Sequence, residues 1–236
     1  MSVSNTSSHP LDRPIWSALT TRQQALAEGS ALARRYPTAI TPFADILDMS
    51  PASFAALGAL MSGSEIAVMF TPNAVTAPAD FKILLAETGE QMIGTPAGCA
   101  TRGVEPVTLG VDDVPDMMAL TELTKPGPFS ARAHELGVFL GIRIDGRLVA
   151  MAGERMKPAH YTEMTAICVH PDHRGRGYGQ VLLGAVAHQI SARGEIPFLH
   201  VFTNNTSAIA LYQRQEMESR RQLHVTVLQK LQSHGR

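Results

Sequence analysis

The sequence predicts an α/β protein of the α+β kind, in which helices pack on a mostly antiparallel sheet. Three observations carry that prediction. Asp145-Gly146 lies between the apolar runs Val138 to Ile144 and Arg147 to Met156, and Asp-Gly in such a place favours a type I′ hairpin. A further run, Thr162 to Val169, extends the hairpin into a meander. That run then leads through a glycine-rich stretch into Val181 to Ile190, whose apolar residues recur at helical spacing.

The remaining elements follow in chain order. Residues 1–13 begin polar, rich in serine and asparagine, without the charged and apolar regions of a signal peptide, and read as a disordered tail. Pro14 to Thr20 holds the single tryptophan and reads as ordered. Arg22 to Tyr36 is rich in good helix formers and predicts a helix, which Pro37 to Pro42 breaks. Ser50-Pro51 is a helix start, an N-cap serine before a first-turn proline, with the helix running to about Met61. Ile66 to Phe70 and Phe81 to Ala86 read as strands. A domain boundary is expected near Gly94 to Gly98, giving an N-terminal α/β domain over 14–100 and a second domain over 104–236. In the second domain Val104 to Leu109 is a strand, and Asp112-Asp113 with Pro115 begins a helix. A Thr124 to Pro128 break and a short helix over Ser130 to Leu136 come before the hairpin. After the glycine-rich stretch come a strand over Pro197 to Phe202, a helix, and a last strand over Leu223 to Leu228.

Composition excludes several classes. The chain has 236 residues and a formal net charge of −1, with Lys and Arg dispersed, so the basic patch of a nucleic-acid binder is missing. No segment is apolar for the length of a membrane span, and no basic amphipathic helix is present, so no membrane partner is expected. Cys99 and Cys168 lie far apart in no metal-binding spacing, which fits a reducing cytoplasm. His170 and His173 lack a third ligand, so no metal is expected.

The stretch from Val169 to Gln180 reads V-H-P-D-H-R-G-R-G-Y-G-Q. Glycines let backbone approach a ligand closely, and the first amides of a helix have no intrahelical partner, so a glycine turn entering a helix suits a phosphate. It is not a P-loop, since the Gly-Lys-Ser/Thr is missing, and Gln180 replaces the last glycine of a dinucleotide fingerprint. A second motif, Asn205 to Tyr212, reads N-T-S-A-I-A-L-Y, with Ala208, Leu211 and Tyr212 on one helix face.

Arg174, Gly177 and Gly179 resemble the R/Q-x-x-G-x-G/A signature of the GNAT acetyltransferase superfamily, and the second motif resembles its N-x-x-A-x-x-L-Y. The element order from Val104 to Leu228 is similar to the GNAT fold, a mixed, mostly antiparallel sheet flanked by helices. The N-terminal part and the Thr124 to Phe129 linker resemble the bacterial branch related to glycine N-acyltransferase-like proteins. The N-terminal extension is open to reading as a degenerate half of the same fold. One departure stands out: the family's Gly-Phe after the tyrosine is Glu216-Met217 here, which questions the shape of that turn.

The resemblance implies acetyl-CoA as acyl donor. It implies cofactor binding by Ile167, Cys168, Val169, Arg174, Gly175, Arg176, Gly177, Tyr178, Gly179, Gln180, Asn205, Ala208 and Tyr212. The turn amides would hold the pyrophosphate. Amides near Cys168 and Val169 would polarise the thioester, and Asn205 would bind the pantetheine arm or hold its turn. Glu163 is the implied base and Tyr212 the implied acid; the plainer alternatives are a solvated strand-end carboxylate and a packing tyrosine. His200 alternates with apolar neighbours and reads as a core histidine, with a proton relay as the lesser reading. Glu154, His160 and Tyr161 are acceptor-site candidates by their place near strand ends. The expected activity is acetyl transfer to a small-molecule amine. Another acyl-CoA, an amino-acid acceptor such as glycine, or a non-catalytic acyl-CoA-binding module are the alternatives. A homodimer is compatible with the reading.

Overall fold

A computed structural model describes residues 9–96 and 103–231. Its main feature is an eight-stranded sheet in the order β4-β11-β5-β10-β9-β8-β7-β6. The strands are β4 (Ile66–Thr71), β5 (Phe81–Ile93), β6 (Val107–Leu109), β7 (Phe139–Ile144), β8 (Arg147–Glu154), β9 (Tyr161–Val169), β10 (Ile196–Phe202) and β11 (Glu218–Lys230). Every neighbouring pair is antiparallel except β9 and β10. Three short strands, β1 (Glu28–Gly29), β2 (Ala33–Arg35) and β3 (Ala44–Ile46), form a separate antiparallel sheet.

The helices are α1 (Pro14–Thr20), α2 (Pro51–Leu60), α3 (Val114–Thr124), α4 (Tyr178–Ala192) and α5 (Thr206–Arg214). Successive residues of a strand face opposite sides of a sheet, and β10 shows how this sorts the core. Leu199 and Val201 join the cluster under α4, with Leu182, Val186 and Ile190. Phe198, one residue away, joins Leu11, Ile15, Tyr36 and Phe43 of the N-terminal segment. The N-terminal segment and α3 therefore cover one face of the sheet, and α4 the other.

Several expectations hold. Asp145 and Gly146 take φ of 50° and 78°, as a type I′ turn requires. Ser50 Oγ accepts from the Ser53 N–H at 3.3 Å and caps α2. Others do not. Residues 22–36 form a short 3₁₀ turn and two strands, not a helix. Arg35 is drawn into extended backbone by Glu28 and Glu65, each at 2.9 Å, and Ala33 and Tyr36 are buried by the tertiary fold. Residues 10–12 are ordered rather than part of a tail: they form a 3₁₀ turn with Leu11 fully buried, while 1–8 lie outside the described residues. Ser130 to Leu136 contributes only a 3₁₀ turn, Ala133–Leu136.

The expected division near residue 100 does not separate two sheets. The strand β5, from the N-terminal part, lies between β10 and β11 and pairs with both, and β4 pairs with β11. Residues 97–102, with Cys99, lie outside the described residues.

Candidate functional site

The sheet opens at its one parallel pair. Strands β9 and β10 pair only from Tyr161–Ile196 to Glu163–Phe198. Beyond that, β9 stays with β8 up to Val169 and β10 stays with β5 up to Phe202. The C-terminal halves thus splay apart, and ligands of α/β sheets bind outside the carboxyl ends of such strands. On the β8 side, β9 carries one extra residue between the pairs Thr165–Gly153 and Cys168–Met151, and Ala166 takes φ of 52°. This bulge re-aims the backbone at Ile167 beside the cleft.

The glycine turn closes the cleft at the end of β9. Gly175 and Gly177 take φ of 75° and 82°, and Gly177 is the N-cap of α4. The amides of residues 175–179 donate to no described residue. The two flanking amides are engaged: Arg174 N–H donates to Pro171 O at 3.3 Å and Gln180 N–H to Gly177 O at 3.0 Å. Five successive free amides at the N-terminus of a long helix form an anion cradle. Arg174 and Arg176 offer exposed guanidinium charge, Tyr178 is a core side chain that offers its amide, and the Gln180 amide is consumed by the helix.

Ladder alternation also separates Cys168 from Val169. His170 N–H donates to Val149 O at 2.8 Å, so the Cys168 amide, two residues earlier, faces β8 and the Val169 amide faces the cleft. The Cys168 thiol packs on the α3 side and is pushed up to about 11 by burial, so it is inert as a nucleophile. Ile167, Val169, Ala208 and Tyr212 are all half-buried against the α4 core, bringing β9 and α5 together across the cleft. Burial raises the Tyr212 phenol to about 12. Asn205 is an N-cap: its Oδ1 accepts from Ala208 N–H at 3.2 Å and Ser207 Oγ at 3.1 Å, which holds the turn. In the turn before β11, Glu216 takes φ of 62°, uncommon for a residue other than glycine, and Met217 fills the core beside α4.

Glu163 is not the solvated strand-end carboxylate of the plainer reading. It is fully buried. Arg155 donates to both its oxygens, Nε at 2.8 Å and Nη2 at 2.7 Å, and His200 Nδ1 meets Oε1 at 2.7 Å. Burial raises its pKa, but Arg155 and His200 outweigh that and hold the carboxyl at about 2. The Arg155 guanidinium also lies 4.5 Å from the Phe43 ring centre. The network continues through Gln91, whose Oε1 accepts from Arg220 at 2.8 Å and whose Nε2 donates to Leu11 O at 2.9 Å. The second Nε2 hydrogen then meets His200 Nε2 at 3.0 Å, which makes that nitrogen an acceptor and puts the ring proton on Nδ1, toward Glu163. With both oxygens held by donors and no exposed face, this carboxylate is poorly placed to take a proton, which weighs against the expected role as base.

Arg155, Gln91 and Arg220 were not singled out in the sequence. The signal available for Arg155 was the hairpin register, which sets it against Glu163. Glu154, His160 and Tyr161 sit at the N-terminal end of β9 or before it, away from the splay. Glu154 is buried between Arg193 at 2.6 Å and Lys157 at 2.8 Å, and the Tyr161 hydroxyl meets His9 at 3.2 Å.

A family profile described as FR47-like protein matches residues 139–224. The N-alpha-acetyltransferase RimI of Mycobacterium tuberculosis is 35% identical over 127 residues, 48% of this chain and 78% of that relative. A crystal structure assigned to the GNAT family of acetyltransferases, from Novosphingobium aromaticivorans, superposes with a TM-score of 0.87 at 37% identity, covering 95% of this chain and 100% of the other. A GCN5-related N-acetyltransferase from Kribbella flavida gives a TM-score of 0.61 at 16% identity over 92% of this chain and 96% of the other, a likeness of fold.

Proposed function

Since the chain belongs to the GNAT family of acetyltransferases, we propose that it transfers the acetyl group of acetyl-CoA to the amine of a small molecule, by direct attack in a ternary complex. The observation that carries this is the splay of β9 and β10, bordered by the five free amides of residues 175–179. GNAT acetyltransferases use an acyl-CoA, usually acetyl-CoA, and act on small-molecule or protein amines. The cradle, its two positive-φ glycines and the exposed arginines fit a diphosphate.

Acetyl-CoA, when bound, supplies the activated acetyl group. The Val169 N–H, aimed into the cleft, polarises the carbonyl oxygen as negative charge builds there. Tyr212 keeps its proton at neutral pH and donates a hydrogen bond toward the sulfur. With a phenol near 12 and a thiol near ~8.5, complete transfer is uphill, so Tyr212 acts chiefly by hydrogen bonding as charge develops. Arg155 and Glu163 hold the strand between them. The amine enters neutral, having lost one proton to water; as its nitrogen bonds the acetyl carbon and the C–S bond breaks, it sheds a second proton to water, which reprotonates the departing thiolate.

The N-terminal extension and the Thr124 to Phe129 linker lead us to place the chain beside the glycine N-acyltransferase-like branch, where an amino-acid acceptor would be the second reading. RimI is named for N-alpha-acetylation, so a protein N-terminus is also tested. No helix among the described residues is long and apolar enough to cross a membrane. We propose a cytoplasmic setting, which suits the buried free thiol of Cys168.

The test is release of CoA thiol from acetyl-CoA against a panel of amines, amino acids and N-terminal peptides, with the product identified by mass. Acetylated small amines above the hydrolysis background are expected. Binding of acetyl-CoA without release across the whole panel would instead favour a non-catalytic module.

A further inference from the structure

A groove of about 360 Å³ opens between two loops from distant parts of the chain. One wall is N-terminal, with Thr38, Pro42 and Glu65; the other follows α3, with Pro128, Phe129 and Ser130. Arg132 N–H donates to Ala39 O at 3.1 Å and ties the walls together. Each wall packs on residues that lead toward β9. Phe129 packs on the cluster that contains Ala166 and Cys168 of the β9 bulge, edge-on to Phe139 at 5.7 Å. Pro42 precedes Phe43, the ring beneath Arg155, which clamps Glu163 where the pairing of β9 with β10 ends.

The lining has a definite chemistry. Pro42, Pro128 and Phe129 are apolar, Glu65 is acidic, and no Lys or Arg lines the groove. The Ser62 N–H and then Arg35 hold the Glu65 carboxyl below its ordinary value, so it is ionised at neutral pH. Those two donors occupy Oε2, each at 2.9 Å. Oε1 has only a long contact with Thr38 Oγ1, at 3.4 Å. Behind Glu65, Arg35 is shared with Glu28, two carboxylates against one guanidinium. The local balance is negative and one acceptor oxygen is only weakly engaged. A carboxylate on the ligand would meet repulsion here, and an ammonium attraction.

Resting on the acetyltransferase reading above, we propose that this groove is the acceptor site, and that it selects amines bearing an apolar body and a second cationic group over amino acids and other carboxylate-bearing amines. The reacting amine points to the splay and the second cation to Glu65 Oε1. The groove's size suits a small molecule.

Cadaverine, pentylamine and aminovalerate share a five-carbon chain and differ only in the far group. Calorimetry of each with the CoA-saturated protein reads the selection without turnover. The wild type should bind cadaverine about fivefold tighter than pentylamine, the effect of a half-exposed charge contact, and aminovalerate most weakly. Glu65→Gln should bring cadaverine to the level of pentylamine. Ser130→Lys, which adds a cation without touching the Arg35 pair, should weaken cadaverine likewise. Tightest binding of aminovalerate or of an N-terminal peptide, or an order unchanged by both variants, overturns the inference. Acetyl-CoA binding measured on the same samples separates the two readings: its absence defeats the acetyltransferase, and its presence with an unselective groove defeats only the acceptor assignment.

Discussion

Glu163 shows how context decides what a carboxylate does. Held at about 2 by Arg155 and His200, it is ionised across the working range and holds its partners instead of taking protons. Replacing it with glutamine leaves the Arg155 guanidinium without its counter-charge and the His200 Nδ1–H with a weaker acceptor, and Glu163→Gln should cost about 3–5 kcal/mol in urea unfolding at pH 7. The pH dependence follows from the depressed pKa. The stabilisation is complete above the ordinary value of 4.5 and is lost as pH falls through about 2. The gap between wild type and Glu163→Gln should therefore close on acidification through that window; a gap independent of pH would refute the ion-pair account. Turnover offers a second check. With no carboxylate base, kcat/KM should follow the ionisation of the amine itself, and its pH midpoint should move when the acceptor is changed. Tyr212→Phe, which removes one hydrogen-bond donor to the developing charge, should lower kcat by about 10²-fold while acetyl-CoA affinity stays near wild type, as read by single-turnover kinetics and calorimetry. The sequence shows Glu163 and Tyr212 as candidates, but not Arg155, His200 and Gln91 closing on one of them, because that closure joins three strands and the N-terminal turn.

At the scale of elements, the glycine turn and α4 form the most legible unit. A turn that needs left-handed backbone at Gly175 and Gly177 shows itself by its glycines. Gly177→Val places a β-branched residue at φ of 82°. It should abolish calorimetric binding of acetyl-CoA while circular dichroism shows the fold retained; unchanged affinity in a folded variant would defeat the cradle. The hairpin and the α2 cap were legible for similar local reasons. Residues 22–36 were not, because helix propensity there is overridden by the Arg35 ion pairs and by burial of Tyr36. The Glu216 turn was questioned for want of a glycine, yet Met217 is buried in the α4 core and Glu216 bears the strained φ.

At the scale of the whole molecule, the N-terminal half is part of the sheet. Its β5 supplies the partner that holds β10 away from β9, so the splay depends on it. A motif search sees a self-sufficient unit from Val104 onward, because strand order is set by long-range pairing that local pattern does not encode. A fragment beginning at Val104 would leave one edge of β10 and both edges of β11 unpaired and expose Phe198 and Leu223. It should aggregate or lose native circular dichroism, and a soluble, acetyl-CoA-binding fragment would contradict this architecture. The central claim is that the splayed cleft and its free amides receive the acyl-CoA. Amide-resolved NMR of the full chain titrated with acetyl-CoA tests it most directly. The account predicts the largest shifts at the amides of residues 175–179 and at Val169, with smaller ones around Tyr212. Saturable binding that leaves those amides unmoved, or no binding at all, would contradict it.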